Sequence, residues 1–437
     1  MSRTGSPPQA DKGAKWETKF DKVFISEDKG MGLKATCDLP AGTMLINEQV
    51  IAVFGEERLK SVTNPRQYNQ FVANKVKAMG GNEFARQFMT LPNRFKDHSE
   101  GFKNIFGGVM ETCNFPANLD GVPAAVVGLD SAYLNHSCFP NVVVSFVTPE
   151  DIYGERANQH PEEYWLKAYT CVSVAKGEEL SAAYSHINAP SAVRKARMKG
   201  FYGFSCHCKH CETADRHIDG WMDVYGKIER TLIQPHIIDN EPAIALQAGY
   251  DLGVVMAQVG IFDYRYATLW EQCAVVCAWH SDEGRALFFA GRAHATYELI
   301  EGVDGRNSRR MWHWRNNIQE LPGYGASKRG KSSEMEAKLL VYNPKYQAHI
   351  LFMIGVEKNQ YVRLRQYSGV VGQREDEPFG WTISEDDDDN ENDQAPVQLE
   401  TLLEELENEK REFDEGRLMK QEKSSTKKKG KGKKAKH

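Results

Sequence analysis

Long apolar runs are missing from this 437-residue chain: the longest, residues 122–129 and 273–279, fall far short of the roughly 18 residues of a membrane helix. Residues 1–19 are polar and carry no apolar core of the kind a secretory signal requires. A membrane or exported protein is therefore not expected. A large net charge is missing too. The 55 Lys and Arg against 60 Asp and Glu leave −5, and residues 385–437 hold 12 and 16 of these, so the body is nearly neutral. That balance counts against a nucleic-acid groove binder, which shows a basic face in its folded part. Cysteine is absent from residues 50–112 and crowded elsewhere, with Cys206, Cys208 and Cys211 inside six residues. In a chain of nine cysteines with no export signal, that crowding reads as a metal site rather than a disulfide framework.

The length suits two or three domains, and shifts of composition mark them. Residues 1–18 read as a loose leader. Strand-like runs rich in Val, Ile, Thr and Phe follow at 22–26, 33–37 and 43–54, broken by turns at 29–32 and 39–42. Residues 56–110 lack alternation and offer helix-compatible runs at 65–79 and 82–89. Strand-like runs return at 141–147 and 164–174, around a polar connection at 148–163. Past residue 215 the period becomes helical. Tyr266, Leu269, Trp270, Cys273, Val276 and Cys277 share one helix face, as do Phe289, Ala293, Tyr297 and Ile300. At the end, an acidic block (385–393) and a lysine block (420–437) repel themselves and read as a disordered tail. Leu399, Leu402, Leu403, Leu406 and Phe413 form an apolar stripe between them, marginal as a helix on its own.

Four motifs carry chemistry. Lys29-Gly30-Met31-Gly32 is a Gly-x-Gly turn, either a plain turn or one that lets backbone approach a ligand. Asn135-His136-Ser137-Cys138-Phe139-Pro140-Asn141 packs donors and acceptors against an apolar strand, where they could meet a polar ligand. Gly177-Glu178-Glu179-Leu180-Ser181-Ala182-Ala183-Tyr184 gains meaning only from its company. Cys206-His207-Cys208-Lys209-His210-Cys211 offers three corners of a tetrahedral zinc, with His207, His210 or the distant Cys138 as the fourth. Cys273 and Cys277, with His280 behind them, imitate a ligand set, but their apolar neighbours make them core. Cys37, Cys113 and Cys171 are expected as buried thiols.

Together and in this order, the four motifs resemble the SET domain of protein lysine methyltransferases, over roughly residues 19–215. The subtype is similar to the SET- and MYND-domain branch, because a helical insert precedes the Asn-His motif and a helical domain follows the cysteines. The cysteine-free residues 50–112 depart from that branch, which carries its MYND finger after the first strands. The resemblance implies an α+β chain: a β-rich SET fold with a helical insert, a post-SET zinc site and a C-terminal all-helical domain. The expected divisions are a disordered leader at 1–18 and a SET domain at 19–185 with its insert at about 56–110. A post-SET segment at 186–215, a helical domain at 216–380 and a charged disordered tail at 381–437 complete the set.

The same resemblance implies methyl transfer from S-adenosylmethionine (AdoMet) to a lysine amine of a protein, histone or otherwise. Gly30, Met31, Gly32, Asn114, Asn135, His136 and Phe204 are the implied cofactor contacts, and Tyr184 and Tyr202 the implied catalytic residues. No Asp or Glu of the motifs stands out as a general base, which leaves water to carry the proton. Zn²⁺ is expected on Cys206, Cys208, Cys211 and Cys138. His207 sits between two ligands and should point away, and the family's post-SET zinc borrows the cysteine of the Asn-His motif. A monomer in the nucleus and/or cytoplasm is expected, with a lysine-bearing protein as substrate and chromatin as a partner for the lysine-rich tail. The competing class is a SET-fold module that binds chromatin or a protein partner with little turnover.

Overall fold

The computed structural model describes residues 19–55, 57–58, 63–95, 105–119, 121–186, 188–212 and 216–327. The leader, the helical region beyond 327 and the charged tail lie outside the described residues.

Strand β1 (Phe20–Ser26) pairs antiparallel with β2 (Gly30–Ala35), with Val23 opposite Gly32. The sheet continues with β10 (Glu179–Ala182), β8 (Val142–Val147), β9 (Trp165–Thr170) and β3 (Met44–Gln49), in that order. The two-residue strand β7 (Asn135–His136) lies parallel to β10, with Ser181 opposite Asn135 and Ala182 opposite His136. This register puts the Asn-His motif and the end of the Glu-Glu-Leu motif side by side. Leu33, Leu134, Val142, Leu166 and Leu180 are buried beneath them. Each such side chain contributes roughly 1.5–3 kcal/mol by leaving water, which holds the motif strands in place.

A second sheet is built from β4 (Ile51–Phe54), β6 (Val122–Val127) and β5 (Phe115–Leu119). The β5–β6 hairpin is not among the strand-like runs read from the sequence. In β6, Ala124, Ala125, Val126 and Val127 are all buried, so both faces of that strand are apolar, whereas β5 alternates buried Phe115, Ala117 and Leu119 with exposed Pro116 and Asn118. The Asp-Gly pair before Val122 is the turn signal, and Gly121 takes φ +85°. Helix α1 (Pro65–Phe88) starts at Asn64, whose side chain accepts from the Gln67 amide at 3.2 Å. It breaks at Gly80 and Gly81, between the two helix-compatible runs. Tyr68, Val72, Val76 and Phe88 pack with Val109 and Met110 of α2 (Ile105–Cys113) against Ile51 and Val53.

The polar connection 148–163 is not all loop: it holds α3 (Pro149–Tyr153), begun by a Thr148/Asp151 capping box. After the strands come α4 (Ser191–Tyr202) and the single turn α5 (Lys209–Glu212). The described residues from 216 onward form only helices and turns: α6 (Arg216–Leu232), α7 (Pro235–Asn240), α8 (Pro242–Val259), α9 (Tyr264–Trp279), α10 (Glu283–Glu301) and α11 (Arg306–Asn316), then a short 3-10 turn. Trp270 of α9 stacks on Phe289 of α10 at 6.0 Å between ring centres, both buried. No helix among the described residues is long and apolar enough to cross a membrane. Cys113, Cys171, Cys273 and Cys277 are buried, whereas Cys37 is exposed, because it follows β2 where the chain leaves the sheet.

Candidate active site and metal centre

The structure brings Cys138, Cys206, Cys208 and Cys211 together, all buried, with their four Sγ atoms within 4.8 Å of one another. A tetrahedral ion with Zn–S of about 2.3 Å spaces its sulfurs about 3.8 Å apart. Cys138 Sγ lies 3.7 Å from Sγ of both Cys206 and Cys211, so the donor set fits Zn²⁺. The thiols share protons: hydrogen bonding among them pulls Cys208 well below the usual thiol range and Cys211 down to about 7, and leaves Cys138 and Cys206 raised. His207 turns to Glu212 at 3.0 Å, and the His210 ring packs 4.3 Å from the Phe139 ring. Neither histidine joins the cluster.

Two charged residues that no motif flagged surround these sulfurs. Arg194 is fully buried and donates to Ala189 O at 2.6 Å, His210 O at 3.3 Å and Cys211 Sγ at 3.6 Å. Its cation offsets the excess negative charge that four thiolates carry around one divalent ion. Arg265, at the start of α9, donates to the Cys138 carbonyl at 3.1 Å and is held by Asp263 at 2.9 and 2.7 Å. The helical half is thus tied directly to the Asn-His motif. The signal available in the sequence was Asp263 as a helix cap; the link from Arg265 to Cys138, 127 positions away, was not readable.

The Gly-x-Gly turn meets the Asn-His motif at one point. A Cβ at Gly32 would sit 2.6 Å from Asn135 Nδ2 and 2.6 Å from Ile25 Cγ1, so no larger residue fits there. Gly30 adopts φ +69°, the left-handed region that favours glycine. Asn135 Nδ2 donates to Met31 O at 3.3 Å and to Glu179 Oε1 at 3.1 Å, and Lys29 closes on Glu179 at 2.6 Å. Both amide hydrogens are spent, which leaves the Asn135 carbonyl oxygen as an acceptor for a ligand. Glu48 holds the preceding loop: its carboxylate accepts from the amides of Leu129, Asp130 and Ser131 at 2.8–2.9 Å.

His136 links this edge to the metal centre. Its Nδ1 accepts from the Tyr184 amide at 3.2 Å, so the neutral ring carries its proton on Nε2, 3.4 Å from Cys138 Sγ. Burial pushes His136 down to about 4, keeping it neutral. The Tyr184 hydroxyl donates to Leu134 O at 2.9 Å, and the Tyr202 hydroxyl donates to Tyr184 O at 2.9 Å. Burial raises both phenols, Tyr184 further. The Tyr184 ring lies 5.3 Å from His136, 5.4 Å from Tyr202, 5.5 Å from Phe115 and 6.3 Å from Phe204. Asn114 stands beside this cluster, but its Nδ2 donates to Met110 O at 2.9 Å and closes the end of α2. Tyr184 also lines a cavity of 460 Å³, walled by β8, Ser185, His186, Tyr264 and the α10–α11 junction.

The comparisons agree with this geometry. The family model described as "SET domain" matches residues 30–185. A SET domain-containing protein of Acanthamoeba polyphaga mimivirus is 25% identical over 223 residues, covering 46% of this chain and 80% of that one. The histone-lysine N-methyltransferase set5 of Schizosaccharomyces pombe is 24% identical over 294 residues, 66% of this chain and 81% of its own. The N-lysine methyltransferase SMYD2-B of Danio rerio is 36% identical over 84 residues, but these make up 19% of this chain and 16% of that protein. The matched segment runs from the Gly-x-Gly turn to the residue after Tyr184, so residues 30–185 are similar to a SET domain over the part of the chain that carries the site.

Proposed function

We propose that the chain is an AdoMet-dependent methyltransferase acting on lysine side chains of proteins. The observation that carries this reading is the position of Tyr184. It touches His136, beside the Asn135–Gly32 edge, and it also lines the 460 Å³ cavity. One residue therefore borders both a polar edge suited to an amino-acid head group and a cavity suited to an acceptor. The relatives named histone-lysine and N-lysine methyltransferases support the reaction class.

AdoMet, when bound, supplies a methyl group on a sulfonium, and the protein contributes position and electrostatics. The backbone at Gly30, Met31 and Gly32, the free Asn135 oxygen, His136 and Asn114 would hold it, with Phe204 against the adenine. Tyr184 and Tyr202 would orient the acceptor nitrogen, and their neutral rings face a cation favourably. Cys138, Cys206, Cys208 and Cys211 would hold Zn²⁺. Zn²⁺ there would supply closure, and Cys138, in contact with His136, which accepts from the Tyr184 amide, would carry that order to the segment that ends at Tyr184.

Calorimetry and a peptide array with labelled AdoMet test this. Asn135→Ala should weaken AdoMet binding by about 1–3 kcal/mol, the cost of a lost buried partner. Tyr184→Phe should leave that affinity nearly unchanged and lower the single-turnover rate on an array-selected peptide. Unchanged AdoMet affinity in a folded Asn135→Ala variant removes the cofactor assignment.

A further inference from the structure

A lysine ammonium has no lone pair, and with an ordinary pKa of about 10.4 it is almost wholly protonated at neutral pH. Something must take its proton before the nitrogen can attack. The groups that line the cavity narrow the choice. Tyr184 and Tyr264 are raised by burial, so neither is a base near neutrality. Glu301 is occupied by the Asn307 amide at 3.0 Å and the Asn307 side chain at 2.6 Å. Asp151 is held by Arg306 and Arg309 at 2.9 and 2.7 Å. Asp304 is exposed, where water competes for the lysine ammonium.

His186 is the remaining titratable group among the described lining residues, two positions after Tyr184. Its side chain is 39% exposed, and its Nδ1 lies 3.6 Å from Oδ2 of the buried Asp263. That is longer than a hydrogen bond, a common state for a catalytic pair without substrate. Asp263 is itself fixed by Arg265, so the carboxylate cannot swing away. No described residue makes a hydrogen bond to His186 Nε2 at the opposite edge of the ring.

We propose that His186, backed by Asp263, is the general base that deprotonates the incoming lysine. This rests on the lysine methyltransferase reading above. The Nε2 lone pair takes a proton from the ammonium, and the charge that forms on the ring is stabilised by Asp263. The freed nitrogen lone pair then forms the N–C bond as the C–S bond of the sulfonium breaks, its electron pair staying on sulfur. The positive charge ends on the methylated amine, and the imidazolium returns its proton to water through its exposed edge.

The charged and titratable groups around His186 are Asp263 and Arg265 at the start of α9, and His136 on β7. Across the cavity stand Glu301, Asp304 and Arg306, with Asp151 on α3. Burial outweighs Asp263 and sets His186 below its usual 6.5, so the ring is neutral and able to accept at pH 7. The sign follows: activity falls as pH drops through that lowered value, and is level above it.

The test combines a pH–rate profile with an NMR titration of the imidazole in the whole chain. The probe is the lysine peptide best methylated on the array, with its norleucine twin as control. His186→Gln, at a part-exposed position, should lose roughly 100-fold in single-turnover rate at pH 7. Its rate should then climb about tenfold per pH unit toward the lysine's own pKa, since the acid limb is gone. In the native chain His186 should titrate below 6.5, and the lysine peptide, unlike the norleucine peptide, should move that titration further down, as an ammonium placed beside the ring does. A His186→Gln profile parallel to the native one overturns the proposal, and so does a His186 titration indifferent to the lysine peptide. If the native chain methylates no peptide and binds no AdoMet, the underlying reading has failed instead.

Discussion

The helical half grips the SET domain at two seams of opposite character. Where α9 begins, Asp263 and Arg265 are both buried, and Arg265 reaches the Cys138 carbonyl beside the metal centre. Where α11 begins, Arg306 and Arg309 are 41% and 45% exposed, and both close on Asp151 at the edge of the cavity. The inner seam loses solvation for both charges and recovers it only through complete hydrogen bonding, so removing one partner strands the other. The outer seam keeps its arginines in water and is screened by salt. The two seams therefore differ in what their loss should cost, the inner one more than the outer.

The metal centre should give the largest break. Cys138 joins the Asn-His strand to the cysteines after α4, and structural zinc can contribute on the order of 10 kcal/mol to folding. Cys138→Ser, or a strong chelator, should take zinc from one per chain to none, lower the melting temperature and abolish AdoMet binding. His207→Ala and His210→Ala should keep the metal, because His207 faces Glu212 and His210 faces Phe139. Metal analysis decides. Zinc retained in Cys138→Ser but lost in His210→Ala would detach the metal from the active site.

The inner seam should come next. Arg265→Ala leaves Asp263 buried without its partner and should cost about 3–5 kcal/mol in urea unfolding. The double change Asp263→Asn with Arg265→Met should cost less than the single one, since no charge is stranded. Burial pushes Asp263 up, but Arg265 outweighs it and holds the carboxyl below its ordinary value. Its contribution is thus present above about pH 3.9 and is lost as pH falls through the lower folded value. A double variant as unstable as Arg265→Ala would show that packing, not charge, sets the seam.

The seams also mark where the sequence stops being readable. Motif residues were visible because their types are rare together: the cysteine triplet, the Asn-His pair, and glycine at position 32, where the Asn135 side chain leaves no room for a Cβ. The strands around them were visible through β-branched runs. Strand β6 was not, because burial on both faces erases alternation, and β5 is a five-residue alternation carrying Pro116 and Asn118, residues that read as turn rather than strand. Arg194, Arg265 and His186 were not, because each acts through a partner brought close only by folding. An arginine in a helix, or a histidine after a tyrosine, has no pattern of its own. The Asp263 that backs His186 lies 77 residues further along the chain.

The outer seam should give the smallest effect, and it has its own signature. Asp151 does two jobs: it caps α3 by accepting from the Thr148 amide and hydroxyl at 3.0 Å each, and it receives Arg306 and Arg309. Asp151→Asn keeps an oxygen for the cap and removes the charge, so it isolates the ion pairs. Asp151 is only 9% exposed but both arginines reach water, so the pairs belong at the upper end of the about 0.2–1 kcal/mol of surface pairs. The variant should lose roughly 1–2 kcal/mol at low salt. Near 1 M salt, where the screening length falls to about 3 Å, native chain and variant should converge. Burial pushes Asp151 up, yet Arg306 and the Thr148 bonds outweigh it and hold the carboxyl below its usual value. The native chain should therefore keep this advantage above about pH 3.9 and lose it as pH falls through the lower folded value. Peptide affinity is the second readout. If the seam is the side that opens, Asp151→Asn should speed peptide association at low salt and leave zinc content and AdoMet affinity untouched. A loss of several kcal/mol that salt does not erase would make the two seams alike, and the cavity would then be walled rather than hinged.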